Sequence, residues 1–159
     1  MAKRWWIVAM ALMATLWPPR AEAVIVINEV LADPPSIGGD ANGDGMVSST
    51  RDEFIELANT DAAGVSLAGW TLSDEVQVRH VFAPGALIPG QGFFVVFGGG
   101  APQGFSDVAV ASSGGLSLNN AGDQVRLRDA QALLIDSFAY GTEGGRDASL
   151  TRSPDATGA

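Results

Sequence analysis

The residues best suited to chemistry lie in one short run, DANGDG, from Asp40 to Gly45. Asp40, Asn42 and Asp44 alternate, and three oxygen-bearing side chains on a tight turn can converge on one point. Gly45 stands at the sixth position, where such a loop bends sharply. Calcium is a hard cation that takes roughly six to eight oxygens from carboxylates, carbonyls and water. By the same spacing Met46 would give its main-chain carbonyl and Ser48 would bind through a water. The twelfth position holds Arg51, which cannot be a ligand. Asp52 and Glu53 follow it, and either would supply the closing carboxylate if the loop runs slightly longer. A metal-free reading stands beside this one, because Asp and Asn side chains also form turns with their own main chain.

Other chemistry is thinly represented. His80 is the single histidine. It sits in a strand-like RHVF without a nucleophile elbow, so a packing or surface role is expected. Trp70 is expected in the core. There is no cysteine, hence no disulfide framework. The remaining carboxylates fall mostly at strand ends, and no pair stands out as a hydrolase site. An Asp40/Asp44/Glu53 metal-dependent hydrolase is the enzymatic alternative. The formal net charge is −9, which repels phosphate backbones and argues against nucleic acid.

The elements that must position the loop read as strands. VIVINEVL, EFIELAN, GWTLSD, RHVFA, GFFVVFG, DVAVA, DQVRLRD and LLIDSFAY are β-rich and separated by turn residues. Alternation places Ile55 and Leu57 on one face, and likewise Val125 and Leu127. GFFVVFG is apolar on both faces and reads as a central strand. Glu29 falls on the face of Ile25, Ile27 and Leu31; if that face is the core its carboxylate needs a partner such as Arg146 or Arg152, with a metal-ligand role or strand-end exposure as the alternatives. Short strands at this spacing predict an all-β sandwich or barrel. The connection from Ala32 to Asp52, about 21 residues, is long for a compact domain unless something holds it.

The first 23 residues have the order of a secretory signal: basic Lys3 and Arg4, an apolar run from Trp5 to Trp17, and Ala21-Glu22-Ala23 as a cleavage site. Export is therefore expected, to the medium, periplasm or cell surface, with no membrane span after cleavage. Residues 24–159 form the expected single domain, with the loop insert at about 38–53.

INEVLADP, DEFIELAN, LAGWTLSD, PGALIPGQGFFVVFG and LSLNNAGDQVRLRDAQALLIDSFAYG, in this order, resemble a bacterial lamin tail domain. The resemblance implies an immunoglobulin-like β-sandwich that is exported and binds a protein or cell-surface ligand without catalysis. It supplies no catalytic residues. It also implies a final strand beyond SLTRSPDATGA, so an open sheet edge and self-association, as in a structural subunit, are expected as a further possibility.

Overall fold

The structure, a computed structural model, describes residues 25–156. The segment expected as a signal lies outside the described residues. The strands are β1 (Ile25–Leu31), β2 (Phe54–Asn59), β3 (Val65–Ser66), β4 (Thr71–Ser73), β5 (Val78–Val81), β6 (Leu87–Ile88), β7 (Phe93–Phe97), β8 (Val108–Val110), β9 (Asp123–Arg128), β10 (Leu134–Tyr140) and β11 (Leu150–Thr151). One short 3-10 helix covers Thr142–Gly145. A five-stranded sheet in the order β11-β1-β2-β7-β8 packs on a four-stranded sheet in the order β10-β9-β4-β5, with β3 and β6 as a separate pair. All pairings are antiparallel except β7 with β8. The chain is an immunoglobulin-like β-sandwich.

Period-two patterning explains the core. In β2, Ile55 and Leu57 point inward while Phe54 and Glu56 stay half-exposed. In β9, Val125 and Leu127 are buried and Arg126 and Arg128 are not. These faces meet Ile27, Leu72, Phe94 and Val96 in one apolar cluster. β7 lies inside its sheet, between β2 and β8, which is why FFVVF needs apolar residues on both faces. Trp70 is partly buried against the same cluster.

Glu29 differs from expectation. A bulge between Ile27 and Glu29 interrupts the pairing of β1 with β2. The extra residue, Asn28, is buried instead, and Glu29 is half-exposed opposite Glu56. The Asn28 amide donates to Glu56 at 2.7 Å and to Asp155 at 2.8 Å. Arg152 serves elsewhere. It donates to the Ile27 carbonyl at 2.8 Å and pairs with Asp136 at 2.8 Å, while Asp136 accepts the Ile27 N–H at 2.8 Å. Side chains thus satisfy β1 where no strand does, and they tie β10 to it. Just beyond, β11, which lies within SLTRSPDATGA, pairs with β1 at Glu29 and Val30.

Leu72 and Leu127 face each other across β4 and β9, and neither is exposed to solvent. Leu127→Ala should cost about 2–5 kcal/mol of unfolding free energy, the range for a buried leucine that leaves a cavity. Val76→Ala, at a residue 81% exposed, should stay within about 0.5 kcal/mol. Urea unfolding of both variants checks the contrast.

Candidate functional site

The connection between β1 and β2 is ordered by its own side chains. Asp40 Oδ2 accepts the Gly45 N–H, Asn42 Oδ1 the Asp44 N–H and Asp44 Oδ1 the Met46 N–H, each at 2.9 Å. Three carboxylate or amide oxygens therefore wrap the main chain from Asp40 to Met46 into one tight coil. Gly45, at φ +88°, occupies the left-handed region that the coil requires.

Asp52 closes the coil from below. It is fully buried at the foot of β2. Its Oδ1 accepts the Asn42 N–H at 3.1 Å and its Oδ2 the Ser48 N–H at 2.7 Å. Ser48 Oγ accepts the Arg51 N–H at 3.2 Å. Asn42, also buried, donates through Nδ2 to the Gly99 carbonyl at 3.2 Å. The Ala101 N–H reaches Asp44 Oδ2 at 3.2 Å, and the Gln103 N–H reaches the Asn42 carbonyl at 2.9 Å. The coil is thereby fastened to the segment after β7. Glycine is needed there: a Cβ at Gly98 would collide with the Thr50 carbonyl, and one at Gly100 with the Asp44 carboxylate.

The donor set for a cation is Asp40, Asn42, Asp44 and the Met46 carbonyl. Asp40 Oδ1 is enclosed by protein and has no hydrogen-bond partner. A buried acceptor without a donor is costly, about 1–3 kcal/mol, and a cation would relieve it. Among the described residues no three His, Cys, Asp or Glu side chains gather around one metal position. An ion here would thus depend on the Asn42 amide and main-chain oxygen as much as on carboxylates.

Glu53 does not join this group. Its carboxylate is buried on the opposite side of the chain and accepts the Leu118 N–H at 3.4 Å. Burial pushes its pKa up to about 7, with the Leu118 and Ser117 N–H groups and Arg79 acting the other way. Of the seven residues the sequence singles out, Asp40, Asn42, Asp44 and Met46 share the coil. Asp52 and Ser48 brace it, and Glu53 faces away.

His80 is buried edge-on against Phe82, with ring centroids 4.6 Å apart. Burial lowers its pKa, opposed by the Val110 main chain. No hydroxyl nucleophile is bonded to either ring nitrogen. Sequence reasoning missed an open cleft of about 730 Å³ beside the coil. Its floor is Gly98–Gly100, and Arg51 and Gly115 lie on its walls.

Glu53 gives a pH signature. Its proton leaves the unfolded chain near the ordinary value of 4.5 but stays on the folded chain up to about 7. Between those values the folded state binds more protons, so stability falls as pH rises through this window and levels off above it. Glu53→Gln, melted in chelator, should lose this slope. It should also exceed the wild type at pH 8 by on the order of 2–3 kcal/mol. Denaturant unfolding from pH 4 to 8 measures both effects.

Among the described residues no helix is long and apolar enough to cross a membrane. No curated protein matches this chain. The family model for the lamin tail domain matches residues 18–142, a stretch that includes every strand from β1 through β10. The chain belongs to the lamin tail domain family.

Proposed function

We propose that this chain is an exported, non-catalytic interaction module whose 40–46 coil takes a calcium ion. The observation that carries the calcium reading is the enclosed, unpartnered Asp40 Oδ1 within a coil of alternating oxygen donors. Calcium would be held by Asp40, Asn42, Asp44 and the Met46 carbonyl. Asp52 is the brace that keeps them in place, and it replaces Arg51 as the closing element of the loop. The lamin tail domain, an immunoglobulin-like β domain of the interaction type, supports the non-catalytic reading. A hydrolase built on Asp40, Asp44 and Glu53 lacks support, because Glu53 is turned toward Leu118.

Self-assembly through a bare edge is the alternative, and it finds less support at β1 and β5. The outer edge of β1 is occupied by β11 and the Asp136–Arg152 pair. On β5, the Val81 N–H is bonded to Ser112 Oγ and the Arg79 carbonyl to the Ser113 N–H.

Calcium bound only by the folded state should add about 2.7 kcal/mol at a hundredfold excess over its dissociation constant. That constant should be on the order of 10⁻⁴ M, as in extracellular modules. Melting in calcium against chelator, for the wild type and for Asp40→Ala/Asp44→Ala, checks this. A calcium-dependent rise confined to the wild type is expected. Equal melting temperatures with no heat on titration would leave the coil as a metal-free turn.

Export rests on residues 1–23. Protein recovered from the medium or envelope should have an intact mass that begins at Val24. Retention of Met1 on membrane-bound protein would contradict cleavage.

A further inference from the structure

The cleft beside the coil has the size of a ligand site, about 730 Å³, within the roughly 300–1,000 Å³ of typical pockets. Gly99 and Gly100 bring main chain to the cleft, while Gly98 beside them is buried and packs against the Thr50 carbonyl. Met46 and Val110, both exposed apolar residues, flank it. Two charged side chains line it, and they are not equivalent. Asp44 is turned into the main chain and accepts the Met46 and Ala101 N–H groups. Arg51 is exposed. Among the described residues the ion pairs join Arg79 to Asp74 and Arg152 to Asp136, and no carboxylate pairs with Arg51. In a chain of net charge −9, an unpaired guanidinium on the wall of a cleft is an anion receptor in waiting. Its planar fork suits a carboxylate held by two parallel hydrogen bonds.

We propose that this cleft binds an extended peptide segment bearing a carboxylate, with Arg51 as the recognising cation. Among the described residues the lining holds no aromatic ring, so a sugar would find no face to stack on. Glycine main chain and two apolar side chains suit a peptide instead. This deepens the interaction-module reading and rests on it, but it does not require the calcium ion.

The test uses the mature chain and a fluorescein-labelled, C-terminally amidated Gly-Ala-Asp-Ala-Gly peptide, with its Asn counterpart, read by fluorescence anisotropy in calcium and in chelator. The Asp peptide should bind about tenfold more tightly than the Asn peptide. Arg51→Gln should erase that preference. Gly115→Leu provides a second variant, at a residue that lines the cleft. A Cβ there meets only Ser117 Oγ, at 3.6 Å, an ordinary contact, and both peptides should lose binding. Both variants should melt like the wild type. Equal affinity for the two peptides, an unchanged preference in Arg51→Gln, or no binding at on the order of 1 mM protein would overturn the proposal. So would Arg51-dependent binding of polygalacturonate without the peptide. Arg51-dependent peptide binding alongside a calcium-insensitive melting temperature would sustain the cleft and dismiss only the calcium reading.

Discussion

The buried carboxylate of Asp52 is the constraint on which the site depends. A long connection without secondary structure must find partners for its own N–H and C=O groups. Asp52 takes two of the N–H groups, from Asn42 and Ser48, and holds residues ten and four positions upstream against the foot of β2. Asn42, fixed in this way, has its side-chain amide available for the Gly99 carbonyl and its main-chain carbonyl for Gln103. The Gly98 and Gly99 N–H groups complete the seam on the carbonyls of Glu53 and Arg51. The coil, the cleft floor and the placement of Arg51 all follow from this arrangement.

The sandwich itself has a comparable device at the bulge in β1. Beside the bulge, the Ile27 N–H and carbonyl take their hydrogen bonds from Asp136 and Arg152. A paired, mostly buried carboxylate and guanidinium are stable together, whereas either alone would be costly. The same bulge brings Asn28 inside, where its amide offsets the effect of burial on Glu56, whose pKa is nonetheless raised. The two sheets are thus joined by apolar burial through the middle and by these polar contacts at one side.

Much of the fold was legible in the sequence because strand patterning is local. The alternations in EFIEL and QVRLR report which face is buried, and the eight strand-like runs became β1, β2, β4, β5, β7, β8, β9 and β10. The two-residue β3 and β6 were hidden inside stretches that read as turns. They exist because the buried Asn59 amide holds the Ala63 and Pro89 carbonyls together, a long-range contact without local pattern. Glu29 was misplaced because strict period-two counting cannot see a bulge. At the site, the coil residues stood out by their spacing. Asp52 reads from the sequence as a closing ligand, and in the structure its two oxygens accept the Asn42 and Ser48 N–H groups. The orientation of Glu53 depends on residues 117–118, which lie far away in the chain. The cleft was invisible, since glycines 98–100 and 114–115 read as linker until the fold brings them opposite Arg51.

Amide hydrogen exchange at four positions tests the two-tier arrangement of this loop most directly. In chelator, the Asn42 and Ser48 N–H groups should already be protected, because Asp52 holds them without a metal. The Gly45 and Met46 N–H groups should exchange faster there and gain protection when calcium fills the coil. Free exchange of Asn42 and Ser48 in chelator, or no calcium response at Gly45 and Met46, would contradict an Asp52-braced, calcium-binding coil.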